Sequence, residues 1–150
     1  MQPFDSFPKG GAVPLGRPSW GNGTSRTGYG LSLQRLTGQT HCAYCQLDLV
    51  GSFQNWLMLS IDHVVPSGQA KLHNIPVKFY EDAINLVLCC SACNGFGNRY
   101  ACVVVEPPVE WDIESFLRLR DAVFAERTVL IAERRTQERK LFDAKPWLVR

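Results

Sequence analysis

The residues of this 150-residue chain most committed to chemistry are two cysteine pairs at one spacing, Cys42-Ala-Tyr-Cys45 and Cys90-Ser-Ala-Cys93. A Cys-x-x-Cys turn presents two sulfurs to one ion. Two such turns complete a tetrahedral set, so the pattern predicts a structural Zn²⁺ site on Cys42, Cys45, Cys90 and Cys93. Four thiolates leave no open position for water or substrate, so this ion is expected to hold the chain rather than to react. Cys89 adjoins Cys90 and offers a second register. Cys89 with Cys93 would make a Cys-x-x-x-Cys, so Cys90 is the expected ligand, and Cys89 and Cys102 read as buried thiols.

The separation of the two pairs is long for a minimal zinc ribbon, and the insert carries its own reactive types. Leu59-Ser-Ile-Asp-His-Val-Val-Pro66 places an acid next to an imidazole, Asn85 precedes the second cysteine pair, and Asn94 follows it directly. Asp62 offers a hard oxygen suited to a magnesium-like ion. His63 can take a proton from water near neutral pH. Asn94 offers a second oxygen through its amide, and hydrogen bonds from Asn85 would orient His63. The chemistry such a set suits is metal-assisted phosphodiester hydrolysis, with Mg²⁺ or Mn²⁺ on Asp62 and Asn94 neutralising charge on the phosphate and the leaving oxygen. Taken singly, each residue has an ordinary role: a surface turn for Asp-His, a turn for Asn85, a helix cap for Asn94. Their joint order among the cysteines is what carries the functional reading.

Several elements must position these groups. Trp56 to Ile61 reads as a strand, with Leu57, Leu59 and Ile61 of one parity facing a core. Strand neighbours point to opposite faces, so Asp62 and His63 reach one site only if the strand breaks nearby, and Pro66-Ser-Gly68 is a suitable breaker. Residues 67–84 read as a long connection containing Lys71, His73 and Lys78, from which His73 could approach the site. Leu86-Val-Leu88 reads as a second strand. Two glycines make 94–100 a poor helix on propensity, although Asn94 could cap one. Cys102-Val-Val-Val105 reads as extended.

A long helix is expected from about Ile113 to Leu141, with Asp112 as its N-cap and Ile113, Phe116, Leu117, Val123, Phe124, Leu130 and Ile131 on one apolar face. Ala-Glu-Arg recurs at 125–127 and 132–134, seven apart, which hints at a helix pair. Trp147 is a candidate anchor for the chain end. Residues 1–38 hold 8 of the 12 glycines and 4 of the 9 prolines, and Lys9, Arg17, Arg26 and Arg35 face one acid, Asp5. Regular structure is not expected there. The stretch reads either as a loose arm lying on the domain or as a basic arm that orders on a phosphate backbone, with Trp20 and Tyr29 as anchors in either case.

The order Cys-x-x-Cys, Asp-His-Val-Val-Pro, Asn-Leu-Val-Leu-x-Cys-x-x-Cys-Asn resembles the HNH endonucleases with a zinc-bound ββα-metal fold. The resemblance covers roughly residues 40–100. It implies His63 as general base, Asn85 as the structural asparagine, Asp62 and Asn94 as ligands of the catalytic ion, and the four cysteines as zinc ligands. The chain departs from the pattern in lacking a lysine shortly after Cys93-Asn94. Arg99 is the nearest replacement for its phosphate contact.

The expected fold is therefore α+β. A Gly/Pro-rich basic arm (1–38) precedes a small zinc-stabilised nuclease core (39–106) and a C-terminal helical extension (107–150). The expected activity is metal-dependent DNA cleavage leaving 5′-phosphate and 3′-hydroxyl ends, with Arg99, Lys71, Lys78 and Arg35 as candidate contacts to nucleic acid. A homodimer through the C-terminal helix would allow both strands to be cut. A net charge of +2 gives no global basic field, so DNA contact must come from local patches. No apolar run approaches the roughly 18 residues of a membrane span. The N-terminus lacks the pattern of a signal peptide, and the paired cysteines suit zinc in a reducing cytoplasm. Two alternatives remain open. One is a non-catalytic zinc module that binds nucleic acid without His63. The other is a zinc-stabilised assembly protein working through the C-terminal helix.

Overall fold

The apolar runs on either side of the 64–85 connection pair with each other. In the computed structural model, which describes residues 3–7, 14–16, 26–98, 100–102, 104 and 106–148, strand β1 (Leu59–His63) lies antiparallel to β2 (Leu86–Cys90). Leu59 faces Cys90, Ile61 faces Leu88 and Asp62 faces Val87. Alternation gives Leu59, Ile61 and His63 to one face of this two-stranded sheet, and Ser60 and Asp62 to the other. Every residue of β2 is buried. A strand packed on both sides in this way reads as a continuous apolar run.

Several short helices are arranged around the sheet: α1 (Tyr29–Thr37), α2 (Phe53–Leu57), α3 (Ser67–Leu72), α4 (Val77–Tyr80) and α5 (Ser91–Gly97). The chain is thus α+β, with a strand–strand–helix unit of β1, β2 and α5. Helix α5 forms despite Gly95 and Gly97. The Cys90 sulfur accepts from the Cys93 amide at its N-terminus, and Cys93 and Gly97 are buried. Tertiary packing here outweighs propensity.

The long helix α6 runs from Ile113 to Asp143, about 46 Å at the usual rise. Asp112 caps it as expected, accepting from the Ser115 amide at 2.7 Å, while the Ser115 hydroxyl accepts from the Asp112 amide at 3.0 Å. Phe116, Arg120, Val123, Phe124, Arg127 and Ile131 are its buried residues. The full burial of Phe116 contributes about 1.5–3 kcal/mol. Residues 132–148 are exposed throughout, so beyond Ile131 α6 adds nothing to the buried core. Leu130, read as part of the apolar face, is exposed. Trp147 lies tilted against Phe142 at the end of α6, with ring centroids 5.3 Å apart, and remains exposed.

Three local readings are corrected. Trp56 and Leu57 belong to α2, not to the strand, because the Ser52 hydroxyl caps a helix by accepting from the Asn55 amide; Leu57 is consequently exposed. The 67–84 connection is largely helical. Both α3 and α4 start directly after a proline, Pro66 and Pro76, each with φ of −59°, a preset value suited to helix entry. The N-terminal stretch is not wholly irregular. A proline-free segment folds as α1, buries Leu33, and ends at Gly38 in the left-handed conformation with φ of 70°. A 3-10 turn, Pro3–Ser6, sets Phe7 into the core. Lys9, Arg17, Trp20 and Arg99 lie outside the described residues. Among the described residues, no helix is long and apolar enough to cross a membrane.

Candidate zinc centre and the His63 site

Cys42 and Cys45 sit on a tight turn closed by the Gln46 amide donating to the Cys42 carbonyl, with Gln46 at φ of 63°. Gln39 fastens this turn to the sheet: its side chain donates to the Leu88 carbonyl at 2.7 Å and accepts from the Leu88 amide at 3.0 Å. The Ala43 amide adds a third bond to Leu88. The end of β2 and the first turn of α5 bring Cys90 and Cys93 opposite. The four sulfurs all lie within 4.8 Å of one another. Hydrogen bonds from Cys90 and Cys93 pull the Cys42 thiol down to about 3, and those with Cys42 and then Cys90 push Cys93 far up. Thiols this crowded cannot all ionise unless a cation joins them. The donor set therefore fits one metal ion, and soft tetrahedral sulfur suits zinc. Arg135 of α6 stands 3.9 Å from the Cys93 sulfur. Burial works against its charge, but Cys45 and Cys93 outweigh that and raise its pKa. Cys89 lies outside the cluster; burial, then the Asp62 carboxylate, keeps its thiol protonated. Cys102 is also a buried thiol, raised by burial.

His63 ends β1, its imidazole partly exposed, with Nε2 3.3 Å from Glu81 Oε2. A carboxylate only accepts, so this bond calls for a proton on Nε2, and in the neutral ring the lone pair is then on Nδ1. Asn85 holds the chain directly after His63. Its Oδ1 accepts from the Val65 amide at 2.9 Å, and its Nδ2 donates to the carbonyls of Val65 at 3.0 Å and Tyr80 at 2.9 Å. Asn85 is fully buried, so all three bonds are shielded from water. One amide therefore joins the turn after β1 to the end of α4, one residue before Glu81. His73 does not approach this site; its Nε2 is 3.1 Å from the Cys102 carbonyl.

Asp62 and Asn94 lie toward the other face of the sheet. Asn94 is on α5, not at its cap, and its Nδ2 donates to Ser60 Oγ at 2.9 Å. Asp62 is 6% exposed. Its Oδ2 accepts from Tyr44 Oη at 2.5 Å and pairs with Arg127 Nη1 at 2.8 Å; its Oδ1 accepts from Arg127 Nη2 at 3.1 Å. Burial, then the Asp62 carboxylate, raises the Tyr44 pKa well above its ordinary value, so Tyr44 is a donor here. Both oxygens of the acid are engaged by the chain itself. This arrangement does not fit a divalent ion on Asp62.

Glu81, Tyr44 and Arg127 were not singled out from sequence. Arg127 alone carried a signal: it lies four residues after Val123 and four before Ile131, on the apolar stripe of a helix. Lys71, Lys78 and Arg35 are exposed on α3, α4 and α1; Lys78 Nζ lies 5.0 Å from the centre of the Phe79 ring. No family model matches the chain, and neither does a curated protein or a solved structure.

Proposed function

We propose that the chain is a zinc-clamped phosphodiesterase of HNH-like build that acts on DNA, with His63 as the general base. The observation that carries this reading is the fixing of His63: Glu81 holds Nε2, Asn85 clamps the following turn, and Nδ1 is left for a proton. In the reaction, a water oxygen bonds to phosphorus as its proton passes to Nδ1. The bond from phosphorus to the 3′-oxygen breaks, and that oxygen leaves with a proton from solvent. The products carry 5′-phosphate and 3′-hydroxyl ends. Zinc on the four cysteines holds the 42–45 turn against β2 and α5 and takes no part in the chemistry. An open groove of about 490 Å³ beside the cluster, lined by Tyr44, Cys45, Arg135, Arg139 and Lys140 among others, offers cations to a phosphate backbone, as do Lys71, Lys78 and Arg35.

A second reading, a zinc-stabilised module that binds nucleic acid without cutting it, is favoured by one observation, the closure of Asp62 by Arg127 and Tyr44. Supercoiled plasmid separates the two. Zinc-loaded wild type and His63→Ala, equal in zinc content and folding, are incubated with and without Mg²⁺ or Mn²⁺. Cleavage by wild type that is lost in His63→Ala is the expected result. Equal cleavage by both removes His63 as the base. Salt-sensitive DNA binding by both without cleavage establishes the second reading. Neither cleavage nor binding removes both.

A further inference from the structure

The surroundings of the Arg127 guanidinium are those of a cation site. Beside the two Asp62 oxygens, Nη1 donates to the His63 carbonyl and to the Val64 carbonyl, each at 2.8 Å. A carboxylate and two backbone carbonyls are hard oxygens of the kind that bind divalent ions. The rings of Tyr44 and Tyr100 flank the group, with centroids 5.5 and 5.8 Å from Cζ, within the range of a cation–π attraction. Helix α5 adds the remaining wall. A Cβ at Gly97 would come within 2.3 Å of Nη2, so the absence of a side chain there makes room for the guanidinium. Arg127 is only 2% exposed, and among the described residues its Nε has no hydrogen-bond partner. Orientation by Nη1 and Nη2, with Nε idle, means that the charge and the planar fork, not the whole side chain, are what the cage reads.

We propose that this cage is a cation-binding site filled from within: Arg127 supplies the positive charge beside Asp62 that a divalent ion would otherwise supply, and in doing so latches α6 to the strand that carries His63. The inference does not depend on His63 acting as a base. It concerns what neutralises Asp62, and it holds equally for a nuclease or a binding module. The single latch joins three elements. Asp62 and the His63–Val64 backbone come from β1 and its turn, Gly97 from α5, and Arg127 from α6.

The test uses the zinc-loaded full chain and does not read activity. Arg127→Ala empties the cage and leaves its oxygens in place. Its Tm is expected to fall by many degrees and to rise again by several degrees in low-millimolar guanidinium chloride, but not in urea, a neutral molecule of similar shape, nor in sodium chloride at equal ionic strength. Electron paramagnetic resonance with Mn²⁺ alone is expected to show about one bound equivalent in Arg127→Ala that disappears in Arg127→Ala with Asp62→Asn, and none that depends on Asp62 in wild type. An Asp62-dependent Mn²⁺ site in wild type would overturn the inference, and this comparison of wild type with Asp62→Asn stands if Arg127→Ala fails to fold. A folded Arg127→Ala that responds to neither guanidinium nor Mn²⁺ would overturn it as well.

Discussion

The cysteine cluster and the Asp62 cage are two answers to one electrostatic problem. Each gathers groups that repel or strand one another unless a positive charge sits among them. Four sulfurs within 4.8 Å have, among the described residues, no cation at their centre; Arg135 approaches from outside, at 3.9 Å from Cys93. The cage has Arg127 at its centre, with four oxygen contacts of 2.8–3.1 Å to Asp62, His63 and Val64. The first cluster fits an imported metal ion, and the second carries its own charge. The difference follows from reach. The cysteines sit on two tight turns whose side chains are short and converge on a point. Asp62 faces a helix, and from a helix a long arginine can reach and fork.

If the contrast is right, the two sites respond oppositely to metal removal. Stripping zinc with a strong chelator, or Cys93→Ser, is expected to abolish cooperative unfolding of the core, since metal binding at such sites supplies on the order of 10 kcal/mol of folding free energy. The signal is near-UV circular dichroism beside zinc content. A chain that melts cooperatively at an unchanged temperature without metal would break the comparison. It would make the sulfurs ordinary core groups.

The cage should be indifferent to chelators and sensitive to its own two members. Removing one partner of a buried pair costs about 3–5 kcal/mol, because the other charge is left without a counterion. Arg127→Met and Asp62→Asn are each expected to lower the free energy of unfolding by that order in urea. The double variant is expected to be less destabilised than the sum of the two, since no buried charge remains. Strict additivity would mean that Arg127 and Asp62 act separately, and would dissolve the latch.

These two sites were unequally legible in the sequence, and for a physical reason. Cys-x-x-Cys encodes geometry locally, because three peptide units of turn set the distance between two sulfurs. Register between Cys89 and Cys90 could be chosen on spacing alone, and the cluster uses Cys90. The Asp112 cap was legible for the same reason, as its partner is Ser115, three residues on. Asp62 and Arg127 are 65 residues apart, and nothing between them records that they meet. A helical projection of 113–131 does put Arg120 and Arg127 on the stripe with Phe116, Val123 and Ile131. An arginine there must find an acceptor, so the need was visible but not its answer. Arg120 solves the same need differently, donating to the Ile84 carbonyl at 2.8 Å and pairing with its neighbour Asp121. Glu81 carried no signal at all. It lies in a connection whose fold depends on two prolines starting helices rather than ending strands.

The smallest expected effect contrasts an exposed acid with the buried one. Asp112 is held below its ordinary carboxyl pKa of 3.8, first by the Ser115 backbone amide and then by the Ser115 side chain. A folded pKa below the unfolded one means that the unfolded state takes up the proton first as pH falls. The stabilisation is therefore complete above the unfolded value and is lost as pH falls through the folded one. Asp112→Asn keeps an oxygen for the Ser115 amide but cannot titrate. Wild type is expected to melt slightly above Asp112→Asn at neutral pH, with the gap closing below the ordinary carboxyl value. Zinc thiolates also protonate in acid, so the gap at each pH carries the result, not the absolute Tm. A gap that widened as pH fell would mean that the charge on Asp112 opposes the helix. A constant gap would mean that the oxygen, and not its charge, caps α6. Asp62→Asn, by contrast, should cost far more at neutral pH, because the charge it removes leaves a buried guanidinium with no counterion.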